Sequence, residues 1–157
     1  MNYDSFNSPI GLITIATDGQ HLTHLHIEGD RYFTAIPVDW ENDTKHPILK
    51  KARKELLEYF DGKRNAFDIP VQFSGTPFQT LVWHELQKIP SGQSITYKQL
   101  AEKIGKPKAV RAVGTAVGRN PMCIIIPCHR VRASDGSYGG YVAGLECKQK
   151  LLSIEAH

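Results

Sequence analysis

The alternation of apolar and polar positions predicts β-structure at the start of the chain and mainly helices after it. Residues 10–17 are apolar and β-branched, and Asp18-Gly19 after them favours a hairpin turn because it tolerates positive φ. The partner strand is predicted at residues 22–27, where imperfect alternation indicates a β-bulge. Residues 67–71 form at most an edge strand, since Pro70 cannot donate to a ladder.

A helix is predicted between these segments, starting after Pro47 and ending at Gly62. Its apolar residues recur at helical spacing and are expected to face the core: Leu49, Ala52, Leu56, Leu57 and Phe60. Strands followed by a packed helix give the first half of the chain an α/β character.

Three helices are predicted between residues 76 and 118. Thr76-Pro77-Phe78-Gln79 is a capping box with proline at the first helical position, and Thr96-Tyr97-Lys98-Gln99 repeats the capping pattern. The first of these helices is expected to bury Phe78, Leu81, Val82, Leu86 and Ile89. The second helix ends at Gly105 and the third follows Pro107. Two short helices joined by a glycine-containing turn are typical of a helix-turn-helix, which presents its later helix to DNA.

The outward face of that later helix carries small side chains, apart from Arg111. Its other predicted members are Ala109, Ala112, Gly114, Thr115 and Ala116. A helix that reads base edges usually carries Asn, Gln and several Arg. A smooth face with one long cation instead favours close approach to a groove, with the arginine inserted where a base has left the stack. Tight packing against another helix explains the small residues equally well.

The last segment combines a flexible stretch with a closing helix. Residues 134–141 are rich in glycine and serine, and a helix is predicted over residues 144–156. Lys148, Leu151, Leu152 and Glu155 fall near one face of that helix. Glu155 is therefore a candidate for a buried carboxylate, although a solvated glutamate at a helix end is the alternative.

Composition and charge narrow the class of protein. The 157 residues, 41% of them hydrophobic, suit one compact unit or two small lobes, with no membrane-length apolar stretch and a polar start. Three cysteines, an odd number, do not form a disulfide framework and suggest a reducing cytoplasm. Residues 1–75 carry 8 Lys and Arg against 11 Asp and Glu, whereas residues 76–157 carry 11 against 5. The basic second half indicates a polyanionic partner.

The candidate chemistry lies in residues 124–131, an apolar run followed by Pro127, Cys128, His129 and Arg130. A thiol beside a base and a cation has what a nucleophile requires. Cys123 and Cys147 lack a neighbouring base in sequence, so they are interpreted as packed thiols. A metal site is a weaker interpretation for the three histidines of the predicted hairpin, His21, His24 and His26, because no cysteine or close carboxylate pair completes it.

Taken together, these residues resemble the DNA alkyltransferases that repair guanine alkylated at O6. The resemblance covers Gly75 to Glu155 and is looser in the first half, at Ser8-Pro9-Ile10-Gly11 and Tyr59-Phe60-Asp61-Gly62. In the second half it runs through Gly75-Thr76-Pro77-Phe78-Gln79, Val82-Trp83, Ile89-Pro90, Thr96-Tyr97, Leu100-Ala101, Arg111-Ala112-Val113-Gly114, Arg119-Asn120-Pro121, Pro127-Cys128-His129-Arg130-Val131 and Leu151-Leu152-Ser153-Ile154-Glu155.

The resemblance implies an α+β fold in two parts. Residues 1–75 would form a ribonuclease-H-like α/β lobe that acts as a scaffold. Residues 76–157 would form a mostly helical, winged-helix-like domain with the helix-turn-helix. The implied activity is DNA repair by direct transfer of an alkyl group from O6 of guanine, or O4 of thymine, in double-stranded DNA to an internal cysteine, with base flipping. Such a transferase acts once, needs no cofactor or metal, and is expected to be a cytoplasmic monomer.

The resemblance also implies roles for individual residues. Cys128 is the acceptor, His129 its base through a water molecule, and Glu155 the carboxylate that orients the imidazole. Asn120 braces the turn that carries the thiol, and Tyr97 donates a hydrogen bond to the flipped base. The implied DNA-binding residues are Lys108, Arg111, Ala112, Gly114 and Thr115. The implied pocket residues are Val131, Tyr141, Val142 and Lys148.

Two departures and three rival functions accompany this prediction. Tyr141 is followed by Val142-Ala143, where the family often has a small residue and then glycine, which puts acceptance of bulky alkyl groups in doubt. The first half also lacks the cysteines with which some members bind zinc. The main rival is a non-catalytic binder of alkylated DNA, a class that usually has tryptophan at the position of Cys128. A transcription regulator and a cysteine hydrolase are the others.

Overall fold

The computed structural model of the chain describes residues 1–137 and 139–156. Tyr138, which belongs to the predicted flexible stretch, and His157 lie outside the described residues. A four-stranded sheet opens the chain, with strands in the order β3-β2-β1-β4. The strands are β1 Asn2–Ser8, β2 Gly11–Thr17, β3 Leu22–Ile27 and β4 Glu41–Asn42. The first three are antiparallel neighbours, and β4 pairs with β1 in parallel.

The predicted hairpin between β2 and β3 is confirmed, including its turn and its bulge. Gly19 has φ +104°, and the pairing register shifts between Ala16 and Thr17. Strand β1 was not predicted. Its inward-facing residues include Asp4, which is buried and bonded to Arg53 at 3.3 Å, so its alternation does not resemble that of a strand with an apolar inner face.

The predicted helix is confirmed as α1, Pro47–Phe60, and it packs across this sheet. The prediction of its buried face was partly wrong, because Leu57 is 39% exposed and Phe60 is only half-buried. The inward stripe ends instead with Tyr59, which is 1% exposed and lies one helical turn after Leu56.

The three predicted middle helices are α2 Pro77–Leu86, α3 Tyr97–Lys103 and α4 Val110–Gly118. Both capping boxes are present, at Thr76 and Thr96, since each threonine and the glutamine three residues later bond each other's backbone N–H groups. Two predictions about which side chains face the core and which face outward were wrong. Leu81 is 41% exposed, and Ala116 is buried, with its carbonyl accepting from Trp83 Nε1 at 2.9 Å. Helix α4 therefore packs on α2 through its last turns.

The remaining elements complete the second half of the chain and join it to the first sheet. A short parallel pair, β5 Ile95–Thr96 and β6 Val131–Arg132, resembles a small wing, and α5 Leu145–Glu155 closes the chain as predicted. The free edge of β3 is covered by the segment that leads to Cys128. Leu25 N donates to Pro121 O at 3.0 Å, and Cys123 N donates to Leu25 O at 3.1 Å. The first sheet therefore supports the second half directly.

No helix within residues 1–137 and 139–156 has both the length and the apolar character required to cross a membrane.

Candidate active site

Two consecutive three-residue turns carry the chain to Cys128. Ile124 has φ +75°, and Cys123 O accepts from Ile125 N at 2.9 Å across it. Pro127 has φ −81° and ψ 66°, and Ile126 O accepts from Cys128 N at 2.8 Å across that residue. A positive φ is strained for a β-branched residue, at a cost of about 1–3 kcal/mol. The surrounding packing must therefore hold this segment in place.

Asn120, just beyond the end of α4, holds the turn. Its Nδ2 donates to Ile126 O at 2.7 Å, and its Oδ1 accepts from Met122 N at 2.9 Å, with all of these groups buried. One amide thus bonds both sides of the strained segment. The bonds couple the position of Cys128 to that of α4.

Cys128 itself is 2% exposed and begins a 3₁₀ turn, Cys128–Arg130. The adjacent Cys123 thiol is the main cause that lowers the pKa of Cys128 below its ordinary value. Burial opposes this shift, whereas Asn120, Tyr141 and the charge of Lys148 add to it. The lowered pKa enlarges the fraction of thiolate, which is the nucleophilic form.

Cys123 and Lys148 support the thiolate in different ways. The thiolate beside it and its own complete burial raise the pKa of Cys123, so this thiol keeps its proton. Lys148 is 0% exposed, and its Nζ donates to Val131 O at 2.6 Å and to Gly140 O at 3.3 Å. Burial lowers the pKa of Lys148 to about 8, and the nearby Cys128 thiolate limits the fall. At neutral pH the lysine therefore remains mostly charged.

Behind the thiol, Glu155 is the centre of a buried hydrogen-bond network. Its Oε2 accepts from Tyr59 Oη at 2.5 Å, from His129 Nε2 at 2.6 Å and from Arg130 Nη2 at 2.9 Å. Its Oε1 accepts from Arg130 Nε at 2.9 Å. Burial alone would raise the pKa of Glu155, but these donors together hold it well below its usual range. Glu155 is therefore ionised and can only accept hydrogen bonds.

An ionised Glu155 fixes the tautomer of His129. The proton of the neutral imidazole must lie on Nε2, which leaves a lone pair on Nδ1. Nδ1 is buried and has no hydrogen-bond partner among residues 1–137 and 139–156. Burial lowers the pKa of His129, while Glu155 opposes that shift. The ring is thus neutral near pH 7 and presents a free base on the nitrogen that does not bond Glu155.

Cys128 opens on a cavity of about 580 Å³ at the side of α4. The other residues that matter for its shape are Tyr97, Arg111, Gly114, Tyr141 and Val142. Gly139, at φ +70°, leaves room for the Tyr97 ring, since a Cβ there would lie 3.1 Å from Tyr97 Cε2. Val131 and Lys148, also predicted for the pocket, are buried residues that do not line it.

The predicted DNA-binding residues share one surface beside this cavity. Lys108, Arg111, Ala112 and Thr115 are exposed, and Gly114 is half-buried against Tyr97. Arg111 lines both the cavity of Cys128 and a neighbouring surface groove. Arg111 therefore links the outer face of α4 to the cavity of the thiol, which Arg31 also lines.

The histidines of the first sheet that were considered as metal ligands contact neighbouring side chains of the protein. His26 stacks on Phe33 with ring centroids 4.0 Å apart and bonds Asp30 at 3.0 Å. His24 packs against Trp40. These contacts agree with polar positions on a strand.

Sequence reasoning missed two groups that contact the site and one set of bonds. Arg130 was named as the cation of the motif, but its two bonds to Glu155 were not predicted, and Cys123 was interpreted only as a packed thiol. Tyr59 gave no local signal of its bond to Glu155, because the two residues lie 96 positions apart.

Comparison with protein families agrees with this geometry. Residues 77–157 match the model described as 6-O-methylguanine DNA methyltransferase, DNA binding domain. Residues 1–73 match the model described as 6-O-methylguanine DNA methyltransferase, ribonuclease-like domain. The chain belongs to the 6-O-methylguanine DNA methyltransferase family.

Individual members of the family are similar over nearly their whole length. A methylated-DNA–protein-cysteine methyltransferase of Methanosarcina barkeri is 46% identical over 155 residues, which is 99% of this chain and 97% of the relative. The constitutive protein of that name in Bacillus subtilis is 39% identical over 98% of this chain and 94% of its own. The crystal structure of Mycobacterium tuberculosis OGT in complex with DNA has a TM-score of 0.91 at 38% identity, over 99% of this chain and 93% of that one. The family resemblance and the α+β fold class are confirmed.

Proposed function

We propose that this chain repairs alkylated DNA by moving the alkyl group from O6 of guanine onto Cys128, once per molecule. The observation that carries the proposal is a buried thiol of lowered pKa that opens on a cavity beside α4. A neutral imidazole with a free nitrogen adjoins it, and an ionised carboxylate fixes the tautomer of that imidazole. Relatives that cover nearly the whole chain are named for this transfer.

The chemical step is a direct displacement at the alkyl carbon. His129 Nδ1 takes the thiol proton through one water molecule, since Nδ1 makes no direct hydrogen bond to a described residue. Cys128 Sγ then forms a bond to the alkyl carbon while the bond from that carbon to O6 breaks, and the electron pair stays on guanine. The proton lost by the thiol is balanced by the one that guanine gains. Glu155 stabilises the imidazolium that exists while His129 holds this proton.

Tyr97 stabilises the leaving group. Its hydroxyl is half-buried at the cavity, and burial followed by the charge of Cys128 raises its pKa, so it stays a neutral donor. A hydrogen bond from this hydroxyl to the base offsets the charge that develops as the alkyl group departs. The product on Cys128 is a thioether, which water does not hydrolyse readily, so the protein is consumed.

The substrate base must leave the duplex to react. Cys128 is 2% exposed at its cavity, and an atom at this depth cannot reach a base that stays in the stack. The small outer face of α4 favours close approach to the minor groove, with Arg111 filling the space left by the base. The excess of basic residues after residue 75 supports attraction to DNA phosphates.

Val142 limits the alkyl group that fits. It is 7% exposed and lines the cavity where the family often has a smaller residue. Methyl groups should transfer faster than bulky alkyl groups, and O4 of thymine is a further candidate atom. Transfer rates from duplexes that carry either lesion would measure this range.

Intact mass tests the proposal. Incubation with a duplex that carries one O6-methylguanine should add one methyl group to the protein, on Cys128, and stop after one equivalent. The Cys128→Ser variant should bind the same duplex and gain no mass. An unchanged mass of the parent protein with retained binding would instead identify a non-catalytic binder.

Arg111→Ala separates base extrusion from chemistry. Transfer from duplex DNA should slow markedly, whereas transfer from the free alkylated base should change little, since that base is already unstacked. Lys98→Ala, at an exposed lysine on α3, is the matched control for loss of one positive charge. Equal losses with duplex and free base would refute the role of Arg111.

A further inference from the structure

The first half of the chain supplies one side chain to the hydrogen-bond network behind the thiol. Tyr59 lies in the last turn of α1, and its ring packs beside Phe60 and Phe67. Its hydroxyl donates to Glu155 Oε2 at 2.5 Å, although 96 positions separate the two residues. Only 1% of Tyr59 is exposed, so this bond is largely shielded from bulk water.

We propose that Tyr59 is a positioning residue for alkyl transfer, acting through Glu155 on the imidazole of His129. This inference rests on the proposed function, because it assumes that His129 is the base. It gives residues 1–75 a direct part in the reaction, beyond that of a scaffold.

The geometry of Glu155 explains why a third donor matters. Arg130 bonds both carboxylate oxygens, which fixes the position of the carboxylate but leaves rotation about the axis through its two oxygens. Tyr59 approaches Oε2, the same oxygen that accepts from His129 Nε2 at 2.6 Å. The hydroxyl therefore fixes the one oxygen that sets the tautomer of the base.

The Tyr59 hydroxyl also weakens the electrostatic effect of Glu155 on His129. Burial and the charge of Glu155 raise the pKa of Tyr59 far above the neutral range, so Tyr59 is a permanent donor. A donor on Oε2 draws charge away from the carboxylate and weakens its pull on the imidazolium. Loss of the hydroxyl should therefore raise the pKa of His129 and loosen the position of the ring.

The Tyr59→Phe variant tests this with little change of volume. The single-turnover rate at pH 7 should fall about tenfold, which is about 1.4 kcal/mol of transition-state stabilisation. The acid-side inflection of the rate against pH, where His129 gains a proton, should move to higher pH. Leu56→Val is the matched control, since Leu56 is 0% exposed on the same face of α1. It should lower the urea midpoint and leave the inflection in place.

A double-mutant cycle shows whether Tyr59 acts through Glu155. In the Glu155→Gln background, Tyr59→Phe should have almost no further effect on the rate. Additive losses, or an inflection that does not move in Tyr59→Phe, would overturn the inference. If Glu155→Gln itself leaves the rate unchanged, the proposed relay fails; if the parent protein transfers no alkyl group, the proposed function fails.

Site-specific 3-fluorotyrosine at position 59 provides a variant with the hydroxyl retained, in case Tyr59→Phe does not fold. Fluorine makes the hydroxyl a stronger donor, so the acid-side inflection should move to lower pH, opposite to the shift in Tyr59→Phe. An inflection equal to that of the parent protein would overturn the inference.

Discussion

Replacement of Asn120 by alanine should affect both the stability of the fold and the reactivity of Cys128. The variant removes two buried hydrogen bonds, from Met122 N and to Ile126 O. Each backbone group left without a partner costs about 1–3 kcal/mol, so the free energy of unfolding should fall by about 2–6 kcal/mol if the turn keeps its shape. If Ile124 relaxes from its positive φ, about 1–3 kcal/mol of strain is returned. The measured loss in the free energy of unfolding then lies toward the lower end of that range.

The two possible responses of the turn to Asn120→Ala, keeping its shape or relaxing, differ in their effect on the reaction. A turn that keeps its shape leaves Cys128 in place, so transfer slows only modestly. A turn that relaxes displaces the thiol from its cavity, and transfer slows far more than the loss of stability would suggest. Urea unfolding measures the first quantity, and single-turnover transfer from a methylated duplex measures the second.

Asn120→Asp refines the test. Its carboxylate can still accept from Met122 N but cannot donate to Ile126 O until it gains a proton. Burial should raise the pKa of this new carboxyl above its unfolded value, so its stabilising contribution is present at low pH and is lost as pH rises. Asn65→Ala, at an exposed asparagine, is the control. A loss below about 1 kcal/mol in Asn120→Ala, together with an unchanged transfer rate, would refute the role of the amide.

Three further variants test the electrostatics of the site. Lys148→Met removes a charge that lowers the pKa of Cys128, so the rise of the transfer rate with pH should move to higher pH; an unmoved profile would contradict this. Cys123→Ala removes the main cause of the same pKa shift, and its slower transfer near pH 7 should recover at alkaline pH, where the thiol ionises without help. Glu155 has a folded pKa below its ordinary 4.5, so its stabilising contribution is present above about pH 4.5 and is lost as pH falls through the folded value. The urea midpoint of the parent protein should therefore fall more on acidification than that of Glu155→Gln, and parallel curves would refute the assignment.

Local patterns in the sequence predicted the elements and residues whose signals are themselves local. The capping boxes at Thr76 and Thr96 each lie within four residues, and both helices start where predicted. Cys128 and His129 are neighbours, so a thiol beside a base was visible without any structure. The hairpin turn at Gly19 was equally clear, because few other residues accept its φ of +104°.

Signals that depend on distant partners could not be found in this way. Strand β1 was missed because Asp4 occupies an inward position that is acceptable only with Arg53 nearby. Leu81 was predicted to be buried, but its exposure is decided by which neighbours α2 meets. Tyr59 looked like one more aromatic residue on α1, since its partner is fixed by the docking of α5 at the other end of the chain. Periodicity carries no information on such pairings.

The pairing of β3 with the segment before Cys128 has a consequence for when the thiol becomes reactive. Leu25 bonds Cys123 and Tyr59 bonds Glu155, so distant parts of the chain must meet before the site is complete. Closing loops of this length delays such contacts during folding. A nascent or partly unfolded chain therefore carries Cys128 as an ordinary thiol with a pKa of about 8.5, without the neighbouring groups that lower the pKa in the folded protein. In the proposed function, in which each molecule acts once, the thiol is therefore activated only after the fold is complete.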